Sequence, residues 1–272
     1  MSTHDLLREL RVAPGEPARL GERNPEARLG AEDKQHGLAR LGQLVERLSV
    51  LHNRLYAESK HALLLVLQGM DTAGKDGVTR AVLSGVNPQG CRVESFKEPT
   101  PVELAHDFLW RVHMRCPERG EMAIFNRSHY EDVVVVRVRH LADEHVWRRR
   151  YEHIRAFEKL LTDEGTTVVK IFLHESRDEQ RKRLQERIDD PEKRWKFRVG
   201  DLDDRDRWDD FRAAYEDAIR ETSTDYAPWY VVPADHNWSR NLCVAEILVA
   251  ALERLHPRIP EPDPGVESTT LA

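Results

Sequence analysis

The segment Gly69-Met-Asp-Thr-Ala-Gly-Lys-Asp-Gly77 constrains this chain more than any other. Gly69 and Gly74-Lys75 fit the spacing G-x-x-x-x-G-K. The segment follows the apolar run Ala62-Leu-Leu-Leu-Val-Leu67, whose continuity predicts a strand buried on both faces, as in a parallel sheet. A helical pattern comes after it. A strand, a glycine-rich turn and a helix together form an anion cradle. Glycines let the backbone approach phosphate oxygens without a Cβ clash. The turn aims several N–H groups at one point, and the helix adds the positive end of its dipole. Lys75 contributes a mobile point charge. A bare glycine-rich turn with no ligand is the competing reading, and it leaves the lysine unexplained.

Two positions depart from an ordinary nucleoside-triphosphatase loop. Asp76 stands where a Ser or Thr hydroxyl usually holds Mg²⁺. Asp71 lies inside the loop, where a carboxylate beside a polyanion is costly unless a divalent cation or a proton joins them. Asp71 is therefore expected to bind Mg²⁺, directly or through water, or to orient an acceptor phosphate.

The rest of the chain predicts an α/β domain. Leu38, Leu41, Leu44, Leu48, Leu51 and Leu55 recur at steps of three and four, which predicts an amphipathic helix over Lys34 to Glu58. Further strands are expected at Arg92 to Phe96, Met122 to Phe125, Thr167 to Leu173 and Trp229 to Val232. Helices are expected from Thr100 and Ser176, each opening on a capping-box pattern, and over about Asp143 to Leu161, Asp204 to Glu221 and Trp238 to Leu255. Alternation of this kind predicts a five-stranded parallel sheet with helices on both faces. Residues 1–33, rich in Pro, Gly, Arg and Glu, read as an irregular arm that wraps the domain or moves freely. Residues 34–257 read as the phosphate-loop domain, and 258–272 as a flexible tail.

Asn126-Arg-Ser-His-Tyr-Glu-Asp132 directly follows the Met122 strand, so it should face the same crevice as the loop. Arg127 can contact a transferring phosphoryl group with its planar fork. Glu131 admits two readings, a site residue or the partner of Ser128 in a capping box. Lys97 ends another strand and should also face the crevice, although a solvated strand-end lysine is the plainer reading. Between Arg181 and Arg198 stand eight Lys or Arg against four Asp or Glu. With a turn after Asp189-Asp-Pro191, this stretch reads as a helical hairpin, a lid at about 176–210 that closes on phosphates. Trp195 and Phe197 interleave its charges, which predicts that it docks rather than standing in solvent.

Charged residues make up 33% of the 272, and the net charge is −6. No global basic field for nucleic acid exists, so a polyanion must be bound by a local patch. The N-terminus shows no secretory pattern and no apolar run approaches the roughly 20 residues that span a bilayer, so a cytoplasmic, non-membrane protein is expected. Cys91, Cys116 and Cys243 are widely spaced and read as free packing residues. The thirteen histidines have no partners at ligand spacing and read as non-ligands.

Several motifs in order resemble the polyphosphate kinase 2 family. They are Val66 to Gly77, Ser84-Gly-Val-Asn-Pro-Gln-Gly90, Ser95-Phe-Lys-Glu-Pro-Thr100, Asp107-Phe-Leu-Trp-Arg111, Phe125 to Val133, Arg194-Trp-Lys-Phe197 and Ala227 to Asp235. The likeness covers about residues 34–256. It implies a thymidylate-kinase-like three-layer fold with a helical lid, and Mg²⁺-dependent, reversible phosphoryl transfer between inorganic polyphosphate and AMP, ADP or ATP. It implies Asp71, Lys75 and Arg127 as catalytic residues, with Asp71 the metal ligand. Gly74, Gly77, Asn126 and Glu131 would lie at the nucleotide. Lys75, Lys97, Arg127, Arg187, Arg194, Lys196 and Arg198 would lie along the polyphosphate. Asn126-Arg-Ser with Glu131 is similar to the class III pattern, whose members phosphorylate both AMP and ADP, and family members form dimers or tetramers. Two rival readings are an ATP-dependent nucleotide kinase, against which Asp76 speaks, and a non-catalytic polyphosphate-binding protein.

Overall fold

The computed structural model describes residues 1–266 and Thr269. The chain runs α1 (Thr3–Leu10), β1 (Arg11–Val12), α2 (Lys34–Glu58), β2 (Ala62–Gly69), α3 (Lys75–Val82), β3 (Cys91–Ser95), α4 (Pro101–Leu104), α5 (Trp110–His113) and β4 (Met122–Asn126). It continues with α6 (Val135–Val138), α7 (Glu144–Asp163), β5 (Thr166–His174), α8 (Arg177–Asp189), α9 (Gly200–Asp206), α10 (Trp208–Thr222), β6 (Trp229–Pro233) and α11 (Asn237–Leu255).

The strands form one sheet in the order β1-β6-β5-β2-β4-β3. Five strands are parallel, as the alternation predicts. The sixth, β1, comes from the arm and pairs antiparallel with β6 through Arg11–Tyr230 and Val12–Trp229. The expected five-stranded sheet is thus corrected to six strands, and the irregular arm to a segment with a helix and a strand. The arm wraps the domain because it carries its own apolar anchors: Leu6, Leu10, Val12, Ala18 and Leu20 are all buried. Ser2 caps α1 by accepting from Asp5 N.

β2 shows why the sheet needs helices on both faces. Leu63, Leu65 and Leu67 pack with α2, α3 and α11 on one side. Leu64 and Val66 pack with α7 and α10 on the other. The alternation of β side chains sends successive apolar residues into two cores, and three layers follow.

A polar cluster lies inside the second core. Lys170 on β5 contacts Glu158 on α7 at 2.5 Å and donates to Thr222 O at 2.7 Å. Tyr130 donates to the same carboxylate at 2.8 Å, and His129 lies 3.3 Å from it. Lys170, Glu158 and His129 are fully buried. Burial lowers the Lys170 pKa, and the contact with Glu158 opposes that shift. This cluster fixes the turn after β4 to the helices beneath it.

Thr100 and Glu103 form the reciprocal pair. Ser176 accepts from Glu179 N, but its own N–H goes to Asp235 and the Glu179 carboxylate takes Arg183, so that box is half made. The three cysteines are free. Among the described residues no helix is long and apolar enough to cross a membrane. Residues 267, 268 and 270–272 of the expected tail lie outside the described residues, while 258–266 run exposed past α11.

Candidate active site

Parallel pairing brings the C-terminal ends of β2, β4, β5 and β6 to one edge, and the glycine-rich loop opens there. Leu67 pairs with Asn126, so the turn after β4 stands beside the loop after β2. Arg127 N donates to Leu67 O at 3.1 Å, which locks that turn to the strand. Buried Gln68 extends the lock: its amide donates to Ser128 Oγ at 3.0 Å and its carbonyl oxygen accepts from Tyr215 at 3.1 Å.

Gly74 is the N-cap of α3 with φ 95°. A Cβ there would overlap the Arg240 guanidinium, so the glycine is required by both conformation and space. Arg240, from α11, donates to Ala73 O at 3.1 Å and supports the loop from behind. Burial, with Arg183 nearby, lowers its pKa to about 10. Gly77 lies on the same guanidinium. Lys75 is buried under the loop and donates to Gly69 O at 2.8 Å and Met70 O at 3.1 Å. Its charge therefore sits at the centre of the cradle.

The structure brings Asp71, Lys75, Arg127 and Glu131 together. Arg127 Nη2 meets Asp71 Oδ1 at 2.6 Å, and its Nη1 lies 3.5 Å from Glu131 Oε2. Burial opposes ionisation of Asp71, but Arg127, Lys75 and Arg187 outweigh it and hold the carboxyl below its ordinary pKa. Burial also opposes the charge on Arg127, yet Glu131 and Asp71 raise its pKa. Burial, aided by Asp71, raises Glu131, against Arg127 and Lys75. The cluster is a balanced group of charges at a strand edge, a setting that suits binding of further anionic and cationic ligands. Arg127 has φ 63°, a left-handed backbone that costs about 1 kcal/mol or more for a non-glycine residue.

Glu131 does not cap. Ser128 accepts from Tyr130 N instead, and Glu131 turns to Arg127, which places it beside Asp71 and leaves the capping reading without its bond. Asn126 Nδ2 donates to Asp76 Oδ1 at 2.7 Å, so the residue expected at the nucleotide is bonded to the residue that replaces the loop hydroxyl.

The predicted lid is α8, a turn and α9. Its base lies on the loop: Gln180 donates to Asp71 O at 3.2 Å, and Arg187 is near enough to favour the charged form of Asp71. Arg187 also lies 3.8 Å from Asp201 on α9, which ties the two helices. The tip docks only in part: Trp195 is 76% exposed, which corrects the expectation for that ring, while Phe197 is half-buried and Arg198 N donates to Asp201 at 3.3 Å. Lys196 stacks on that ring at 5.1 Å, and Arg194 turns back to Ile188 O at 2.7 Å. Among the described residues no hydrogen bond or ion pair joins the Arg194, Lys196 or Arg198 side chain to the Asp71 cluster, and Lys97 is exposed just past the end of the edge strand. Sequence reasoning passed over Gln68, Thr72, Glu175, Gln180, Arg183 and Arg240. Gln68 alone carried a local signal, a polar residue closing an apolar run.

Fold and loop together define a P-loop kinase-like phosphotransferase architecture. The family model described as Polyphosphate kinase 2 (PPK2) matches residues 31–259. A curated relative, the AMP/ADP-polyphosphate phosphotransferase of Meiothermus ruber, is 55% identical over 266 residues, covering 97% of this chain and 100% of that one. The ADP-polyphosphate phosphotransferase of Rhodopseudomonas palustris is 48% identical, covering 95% of this chain and 93% of its own. The crystal structure of polyphosphate kinase 2 from Arthrobacter aurescens TC1 superposes with a TM-score of 0.93 at 42% identity, over 98% of this chain and 95% of that one. The chain belongs to the polyphosphate kinase 2 family.

Proposed function

We propose that this chain transfers the terminal phosphoryl group of inorganic polyphosphate to AMP or ADP, reversibly, in the cytoplasm. The observation that carries the reading is Asp71 inside the phosphate loop, held at 2.6 Å by Arg127 from the turn after the neighbouring strand β4. The high identity to relatives named for both AMP and ADP supports the acceptor class.

Asp71 fits Mg²⁺ of the kind that takes one or two carboxylates, waters and substrate phosphates. The bound ion would neutralise charge between donor and acceptor phosphates. The residues do the positioning. Lys75 and the loop N–H groups hold the terminal phosphates of the chain. Arg127 spans the transferring group. Arg187, with Arg194, Lys196 and Arg198 at the lid tip and Lys97 at the opposite rim, lines the approach of the polyanion, and Asn126 and Glu131 border the acceptor.

An oxygen of the acceptor's terminal phosphate attacks the terminal phosphorus in line. The new P–O bond forms as the bridging P–O bond breaks, and the shortened chain leaves with the bridging oxygen. The acceptor oxygen is already ionised, so no strong general base is needed, and charge neutralisation and orientation supply the rate. Association into a homodimer or homotetramer is proposed from the family resemblance alone.

Incubation with polyphosphate, Mg²⁺ and AMP or ADP, resolved by chromatography, tests the reading. ADP or ATP should form only with polyphosphate present. Product only with ATP as donor would make the chain an ATP-dependent nucleotide kinase. No product with either acceptor would leave a binding protein.

A further inference from the structure

Thr72, next to Asp71, has φ 75°. A β-branched residue rarely adopts this left-handed backbone, and it persists only where its surroundings hold it. Three side chains from the β5–α8 junction do so. Glu175 Oε2 accepts from the Thr72 hydroxyl at 2.8 Å. Arg183 Nη1 donates to Thr72 O at 3.2 Å. Gln180 Nε2 donates to the preceding carbonyl, Asp71 O, at 3.2 Å. Glu175 is 2% exposed and Gln180 3%.

The clamp is itself anchored. Arg183 contacts Glu175 at 2.6 Å and Glu179 at 2.9 Å, and donates to Ala234 O and Asp235 O at 2.9 Å each. One guanidinium therefore ties the lid helix, the phosphate loop and the β6–α11 turn together. Glu175 uses its two oxygens on two different partners, Oε1 on Arg183 and Oε2 on Thr72.

We propose that Glu175 is a positioning residue for phosphoryl transfer: with Arg183 it holds Thr72 in the left-handed conformation, and through the Asp71–Thr72 peptide it keeps the Asp71 carboxylate on Arg127. Release of Thr72 lets its φ return to negative values, which turns that peptide and carries Asp71 away. The inference rests on the proposed reaction for its kinetic consequence and on geometry alone for its structural one.

Thr72→Val removes the hydroxyl while keeping shape and branching. In its crystal structure, residue 72 is expected to leave positive φ and Asp71 to leave hydrogen-bond distance of Arg127. The kcat should fall about 10- to 100-fold, with KM for the nucleotide within about threefold and melting little changed, as for a group displaced by about an ångström. Thr72→Ser, which restores the donor, should return kcat to within about threefold of the parent. Glu175→Gln offers one acceptor oxygen where two are used, and should lower kcat with KM unchanged. A Thr72→Val structure that keeps both the positive φ and the Asp71–Arg127 contact overturns the inference, whatever the rates. So do parent-like kcat values in both Thr72→Val and Glu175→Gln. A parent protein inactive with polyphosphate would sink the proposed reaction instead, and the crystal structure would still decide this point.

Discussion

Asn126 donates its side-chain amide to Asp76 Oδ1 at 2.7 Å. The residue that stands in place of the usual loop hydroxyl is therefore bonded to the last residue of the neighbouring strand β4. A neutral amide is the partner an acidic residue accepts at that distance, and two carboxylates there would repel. The bond leaves Asp71 as the carboxylate of the loop that faces Arg127. Asn126→Asp should accordingly destabilise the protein in chelator-treated buffer, by a few degrees of melting temperature. An unchanged melting temperature would show that Asp76 does not face residue 126 in solution.

Asp71→Asn keeps the shape of the loop and removes the charge. Transfer from polyphosphate should drop by at least about 10²-fold. The melting temperature should move by only a few degrees, because Arg127 retains Glu131. Steady-state rates beside a thermal melt make the check, and full activity would remove Asp71 from the site.

Arg127→Lys tests the fork. Arg127 reaches Asp71 with one terminal nitrogen and Glu131 with the other. Lysine offers a single point charge and can serve one of them. A loss of about 10- to 100-fold in kcat/KM is expected, on the scale of a bidentate contact. Parent-like kcat/KM would mean that charge alone matters there.

Glu175 gives a pH dependence of stability with a definite sign. Burial raises its pKa from 4.5 to about 7, against the opposing charges of Arg183 and Lys75 and with Asp235 adding to the rise. A raised carboxyl binds its proton more tightly when folded. Its contribution to stability is therefore fully present below about pH 4.5 and is lost as pH rises through about 7. The difference is roughly 3 kcal/mol at most. Urea unfolding from pH 4.5 to 8 should show a decline that Glu175→Gln flattens. An unchanged slope in the variant would place the titration elsewhere.

Lys170→Met leaves Glu158 buried without its cation, since both side chains are fully buried. Breaking such a pair costs about 3–5 kcal/mol. Chemical denaturation reads this directly, and a loss below about 1 kcal/mol would mean that Glu158 is protonated in the folded state.

The elements that were legible in the sequence are those with a local repeat. The helix expected over Lys34 to Glu58 is α2 at those same bounds, because about five turns of leucine spacing leave no other register. The strand at Ala62 extends only two residues beyond its apolar run. β1 escaped because two residues carry no period, and α1 because its 8 residues give barely two turns of it before the Pro- and Gly-containing stretch that follows. Trp195 misled because interleaved aromatics signal burial only where a surface is at hand to receive them.

The candidate site divides along the same line. By itself the sequence determined the anion cradle: a buried strand, glycines where the backbone must come close, Lys75 at its helix start and Asp71 inside it. Those are properties of a contiguous segment, set by backbone conformation and side-chain type. The tertiary structure decided the partners. Arg127 meets Asp71 across 56 positions, Asn126 meets Asp76 across 50, and Arg240 meets Ala73 across 167. Such contacts follow from sheet register and from the need to satisfy polar groups removed from water, and neither leaves a period in the chain.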